Sequence, residues 1–263
     1  MKEKEILNLQ LWQLLAAYIF VIILLVVVKI RGLKKEQEIV LSTVRMTIQL
    51  VLVGYVLAYV FKQNNYLFTI AIIAVMEIFA INNIYQRVQQ PITKKLKKII
   101  AIAMLTGTLL SMLYFIIFVI GLKPWYSPRY FIPIAGMLIG NSMTGISLGV
   151  ERLVSGVQDN KDKIEAILML GATPKKATQD IVNAAFNAAI LPTINSMMGM
   201  GVVFLPGMMT GQILSGASPV TAIKYQIVIM LGILASVSVT VFILVNLGYK
   251  TLFNERAQLV RGE

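Results

Sequence analysis

Seven long apolar runs, separated by short polar connections, constrain this chain more than any other feature. They are Leu9–Ile30, Arg45–Phe61, Leu67–Ile84, Ile99–Gly121, Phe131–Val150, Asp180–Phe204 and Lys224–Tyr249. Runs of this length match the ~30 Å hydrocarbon core of a bilayer crossed by a helix. Inside hydrocarbon every backbone N–H and C=O must be satisfied within the protein, which leaves helices as the reading for unbroken apolar runs. The fold class expected is therefore an all-α polytopic membrane protein of about seven transmembrane helices, with residues 1–263 as one transmembrane domain. Charged residues make up only 14% of the chain, against about 25% in a soluble domain. The first run is too long for the apolar part of a signal peptide, and no small-residue cleavage site follows it.

The stretch Leu205–Ile223 is apolar but interrupted by Pro206, Gly207, Gly211, Gly216 and Pro219. Broken backbone at membrane depth must be sheltered by protein, so a re-entrant or surface helix before the last span is expected rather than an eighth crossing. Seven spans put the termini on opposite sides. The connections on one side, which open at Lys29, Arg87, Arg152 and Lys250, hold 18 of the 24 Lys and Arg residues. Cationic loops stay cytoplasmic, so the N-terminus is expected outside and the C-terminus inside. The formal charge of +12 then reads as cationic loops facing anionic lipid, not as a nucleic-acid surface. An integral protein of the bacterial cytoplasmic membrane is the expected location.

The chain has no Cys and no His. Thiol nucleophiles, disulfides, Cys/His zinc sites and imidazole acid–base chemistry are excluded together. No Gly-x-x-x-x-Gly-Lys-Ser/Thr loop is present to cradle a nucleotide phosphate. The chain is not expected to be an enzyme, and no cofactor is expected in it.

The longest polar connection, within the region 151–179, contains "DKIEAILMLGATPKKATQDIV" from Asp162. Ile164, Ile167, Leu168 and Gly171 recur at helical spacing on one face of a short helix. Gly171 suits a left-handed terminator. Thr173 suits an N-cap and Pro174 the first helical position after it. The spacing predicts an elbow: a short helix, a sharp turn, then a helix entering the bilayer. Lys175 and Lys176 fall in the first turn of that second helix, where the dipole disfavours cations, so a partner surface or lipid phosphates are candidate neighbours. Such an elbow can pass a push from a cytoplasmic partner to a membrane helix. An ordinary connecting loop with a surface helix explains the same amphipathic pattern.

The block "EAILMLGATPKKA", with "IPIAGMLIGNSMTGISLGVERL", "LPTINSMMGMG" and "LPGMMTGQILSGASPVTAIKYQIVIM" in this order, resembles the FetB-type ABC transporter permeases, the bacterial iron-export and plant aluminium-tolerance permease subunits. The resemblance runs from Pro133 to about Met230. It implies a half-size permease that dimerises and is driven by a separate ATPase subunit, on which ATP and Mg would sit. Ile164, Glu165, Leu168, Gly171, Ala172, Thr173 and Pro174 then become the expected ATPase-coupling residues, and 151–179 the cytoplasmic coupling region. The reading that follows is an ATP-driven exporter of a metal ion or metal-linked small solute.

Candidate pathway residues come from polar and soft groups inside the spans. Gly136, Gly140, Gly145 and Gly149 form two Gly-x-x-x-Gly pairs, which serve either a sliding dimer or gate interface or close packing within one subunit. Asn141, Ser142 and Thr144 lie among them; Ser142 and Thr144 are expected to bond their own helix backbone. Pro192 is expected to kink the sixth span, with Asn195 and Ser196 at the bend. Met197, Met198, Met200, Met208, Met209 and nearby Gln212 crowd the same region. Thioethers suit Cu(I) better than Fe or Al, and without Cys or His beside them flexible packing is the favoured reading. A metal ligand set stays unassigned. Glu77, an acidic residue well inside a span, is a site candidate because a buried carboxylate is costly. It also supports an alternative, an ATP-independent secondary transporter or channel in which Glu77 carries the coupling charge.

Overall fold

A computed structural model describes residues 10–63, 65–88, 90 and 92–259. Leu9, the start of the first apolar run, lies outside them. The elements in order are α1 (Leu11–Ala17), α2 (Ile19–Ile30), α3 (Glu36–Gln63), α4 (Tyr66–Arg87), α5 (Lys94–Tyr114), α6 (Pro128–Asp159), α7 (Lys161–Met169), α8 (Pro174–Ala177), α9 (Gln179–Gly199), α10 (Gly207–Leu214) and α11 (Pro219–Gly248). A π-helical segment, Phe115–Ile120, continues α5, and a 3₁₀ turn, Tyr249–Leu252, continues α11. Among the described residues, seven helical stretches are long and apolar enough to cross a membrane. The described fold is all-helical, as the apolar runs require.

The chain divides into two compact units. One holds α1–α3, with Leu214–Gly216; the other holds the remainder. Within the first, α2 packs on α3, and the Tyr18 hydroxyl meets the Thr47 hydroxyl at 2.5 Å. Within the second, α4, α5, α6, α9 and α11 pack around one apolar core that includes Leu96, Ile100, Met104, Leu138, Ile146, Leu153, Ile229 and Leu244. α6 lies at its centre and touches α4, α5, α9 and α11.

Helix ends differ from the expected ones where polarity hides helix. α3 begins at Glu36, not Arg45, and its exposed first turn carries a Lys35–Glu38 ion pair at 3.4 Å. α6 runs on from Val150 to Asp159. At 32 residues it is about 48 Å long and extends beyond the hydrocarbon. The sixth span ends at Gly199 and not at Phe204. Met200 turns to extended backbone, Gly201 is left-handed at φ +84°, and the Gly201 N–H donates to the Phe204 carbonyl at 2.9 Å. Pro192, expected to kink the sixth span, sits inside a continuous α9. Of the broken stretch Leu205–Ile223, Gly207–Leu214 forms α10, whose 8 residues span about 12 Å, too short to cross. The stretch from Pro219 belongs to the last helix, which starts earlier than Lys224 because Ser218 caps it and Pro219 occupies its first position.

Candidate functional site

Three places carry the polar or unusual chemistry of the second unit. The first is the elbow between α6 and α9. α7 presents Ile164, only 1% exposed, to the core, with Ile167 and Leu168 packed beside it. The helix stops at Leu170, and Gly171 takes φ +85°, a conformation that costs a side-chain-bearing residue about 1–2 kcal/mol. Ala172 is half-buried. The Thr173 hydroxyl accepts from the Lys176 N–H at 3.4 Å, and Pro174 opens α8 as expected from the sequence. α8 is a single turn; a new helix, α9, starts at Gln179, so the elbow has two corners where one was expected. Glu165 pairs with Lys161 at 3.8 Å on the exposed side.

The bend leaves Met169 and Leu170 at its tip, 85% and 87% exposed. They are off the face formed by Ile164, Ile167 and Leu168, and the sequence reading passed over them. The available signal was two bulky apolar residues directly before the terminating glycine. Beneath the elbow a polar groove of about 270 Å³ runs between Arg152 and Asp159 of α6, Lys163 of α7, and Lys176 and Asp180. A Cβ on Gly156 would lie 2.7 Å from Ile181 Cγ2, so the end of α6 and the start of α9 are locked together beside this groove.

The second place is the buried polar seam. Glu77 of α4 is 2% exposed and meets the Thr108 hydroxyl of α5; its Oε2 has no partner among the described residues. The same Thr108 oxygen lies 2.7 Å from the Met104 carbonyl. One hydroxyl hydrogen serves only one of these acceptors; a proton on the carboxyl would satisfy both contacts. Nearby on the facing helices the Ser142 and Ser236 hydroxyls meet at 2.9 Å in full burial. Ser142 therefore bonds across to α11 and not to its own backbone, whereas Thr144 bonds the Gly140 carbonyl at 3.2 Å as expected.

The third is the face of α6 and α9. Gly145 and Gly149 pack within the subunit: a Cβ on Gly145 would lie 2.8 Å from Val237 Cγ1 and 3.3 Å from the Ala189 carbonyl, and one on Gly149 would touch Leu244 and Ala189. Gly136 approaches Met76, while a Cβ on Gly140 would meet nothing. Asn141 is exposed and donates to the Met137 carbonyl at 2.7 Å. Asn195 is exposed on α9. The methionines do not form one cluster. Met198 is 79% exposed, Met209 is buried, and Met197, Met200 and Met208 pack against the core. The Gln226 amide reaches Met200 Sδ at 3.7 Å. Gln212 lies half-buried on α10.

Residues 11–253 match a family described as "Uncharacterised protein family (UPF0014)". The chain belongs to the UPF0014 family. It is 37% identical over 249 residues to the UPF0014 membrane protein YjkA of Bacillus subtilis, covering 93% of this chain and 96% of that one. It is 34% identical over 244 residues to the probable iron export permease protein FetB of Escherichia coli, covering 93% and 92%. It is 32% identical over 244 residues to the protein ALUMINUM SENSITIVE 3 of Arabidopsis thaliana, covering 93% and 88%. No solved structure matches the chain. The likeness reaches well beyond the Pro133–Met230 blocks into α1–α5, and with the seven apolar helices it identifies an integral membrane protein of a permease family.

Proposed function

We propose that this UPF0014 chain is the transmembrane subunit of an ATP-driven ABC exporter, moving a metal ion or a metal-linked small solute out of the cell. A separate cytoplasmic ATPase binding ATP and Mg would supply the energy, and two copies of this chain would work with two ATPases in the bacterial cytoplasmic membrane. The metal assignment leans on the relative named an iron export permease. The observation that carries the mechanism is the exposed pair Met169 and Leu170 on a bend held by Gly171 and Thr173.

Two large apolar side chains held out into water are a docking feature, since burying each against a partner is worth roughly 1.5–3 kcal/mol. The cationic balance of the loops favours the cytoplasmic side for this bend, where an ATPase would meet it. Motion of the ATPase would push α7. Ile164 seats α7 in the core and Gly156 locks α6 against α9, so the push would reach both spans rather than dissipate in a loop. The reading of Glu77 as a coupling charge gains no such support, because its carboxyl is closed into the packing of α4 and α5.

The test is a Met169→Ser/Leu170→Ser double variant in the purified complex with its ATPase. Membrane insertion should be unchanged. ATPase association should weaken by at least about a hundredfold if two such side chains are buried. Full retention of both association and transport-coupled hydrolysis would remove the elbow from the mechanism.

A further inference from the structure

The polar groove beneath the elbow carries charge for which the exposed tip at Met169 and Leu170 has no use. Its volume is about 270 Å³, and five charged side chains line it: Arg152 and Asp159 of α6, Lys163 of α7, Lys176 of α8 and Asp180 of α9. All five are exposed. Three cations and two anions surround one groove, yet none of them forms an ion pair among the described residues. Lys176 alone has a side-chain partner, donating to the Gln179 amide oxygen at 3.2 Å. Asn160, on the same wall, donates its amide N–H to the Gly156 carbonyl at 2.8 Å, which leaves its amide oxygen open as an acceptor.

The charges are ordered along the groove. Arg152 and Asp159 are two turns apart on one face of α6, about 10 Å along the axis. Arg152 is the one nearer the apolar run that ends at Val150. On the facing helix Gly156 packs against Ile181 and Gly149 against Ala189. This antiparallel register sets Asp180 near the level of Val157, closer to Asp159 than to Arg152. Ala184, the lining residue furthest along α9, falls near the level of Arg152. No charged residue follows Asp180 until Lys224, so the groove lies where α9 enters the bilayer. It has a cationic end toward hydrocarbon and an acidic end toward water, with Lys163 and Lys176 on long stems that can reach along it.

We propose that this groove binds the head of a phospholipid that carries both a phosphate and a primary ammonium, a phosphatidylethanolamine from the leaflet on the elbow's side. Unlike charges that share a groove without pairing are matched by a ligand of both signs. In such a lipid the phosphate lies next to the glycerol and the ammonium beyond it, the same order as Arg152 followed by Asp159 and Asp180. Arg152 offers the phosphate a two-pronged donor, and Lys163 and Lys176 add to it. The three N–H groups of the ammonium match the two carboxylates and the Asn160 oxygen. A glycerol head would bring no cation to the two acids, and a choline head would bring one without N–H groups. Ile164, Ile167 and Ile181 supply an apolar floor for the methylenes between. One bound head would touch α6, α7 and α9 together and brace the elbow. Its effect on coupling rests on the ATPase reading; the site does not.

The test offers the delipidated full chain, in detergent, equal amounts of phosphatidylethanolamine, phosphatidylglycerol and phosphatidylcholine with the same acyl chains, and counts bound lipid by native mass spectrometry. The ethanolamine lipid should be retained on the order of tenfold or more over each of the others, the scale of hydrogen bonds to charged groups. Asp159→Asn/Asp180→Asn should abolish the preference over phosphatidylglycerol. Arg152→Gln should lower retention of the ethanolamine lipid by about tenfold. Lys123→Gln, before the opposite end of α6, should change neither. Equal retention of the three lipids by the unaltered chain would overturn the site, and that comparison needs no variant to fold. An unchanged preference in well-folded Asp159→Asn/Asp180→Asn would overturn it too. Displacement of the lipid by an equimolar amount of free phosphoethanolamine would give the groove to a soluble phosphate ester and overturn the lipid as its occupant.

Discussion

Gly107 of α5 faces α11 so closely that a Cβ built there would lie 2.3 Å from Thr240 Cγ2, 2.7 Å from Thr240 Cα and 2.9 Å from its backbone nitrogen. Carbon atoms pack at about 3.5–4.0 Å. The methyl group of Thr240 could rotate away, but its Cα and N belong to the helix, so α11 itself must retreat by about 1 Å to reach that range. Thr240 cannot turn freely either, since its hydroxyl bonds the Ser236 carbonyl at 2.8 Å. A retreat of α11 would also loosen Gly232 against the Phe115 ring, where a Cβ would lie 2.6 Å away. Overpacking of this kind costs about 1–3 kcal/mol; replacing a mid-helix glycine by alanine returns about 1 kcal/mol. Gly107→Ala should therefore lose up to about 2 kcal/mol, while Gly140→Ala, with open space around its Cβ, should gain up to about 1 kcal/mol. The assay is denaturant titration of detergent-dispersed protomers, so contacts between copies do not enter. Gly107→Ala as stable as Gly140→Ala would show that α5 and α11 are not in backbone contact, and the packing account would fail.

Ser142→Ala and Ser236→Ala, made singly and together, should show a coupling of about 0.6 kcal/mol and no more than about 1.7, the range for interhelical hydrogen bonds in membranes; strict additivity in the same titration would deny the contact. Glu77→Gln should be nearly neutral, because an amide can donate to Thr108 while Thr108 donates to Met104. Thr108→Val should cost about 1–3 kcal/mol by stranding the Glu77 side chain, and equal losses for the two variants would contradict the hydrogen count.

The spans were legible because hydrocarbon demands long apolar runs, and those runs survive in the structure with shifts at their ends. The ends were illegible where helix continues into water. Glu36 and Glu38 of α3 and the last turns of α6 are polar for solvation, not for lack of helix. Glycine and proline read well at the elbow, where Gly171 and Thr173 act locally. At Pro192 the helix continues through the proline, because neighbouring helices can hold a span together there. The Gly-x-x-x-Gly pairs illustrate the limit of a motif: spacing shows that backbones can approach, but only the packing shows that Gly145 and Gly149 face α9 and α11 while Gly140 faces outward.

The central claim is that energy enters from an ATPase at the elbow and drives cargo across the membrane. Vesicles reconstituted with this chain and its ATPase, loaded with iron or another metal ion and sealed, test it most directly. The account predicts metal movement across the membrane that requires ATP, stops with a hydrolysis-dead ATPase, and is lost in Met169→Ser/Leu170→Ser. Equal movement by this chain alone, without ATP or ATPase, would contradict it.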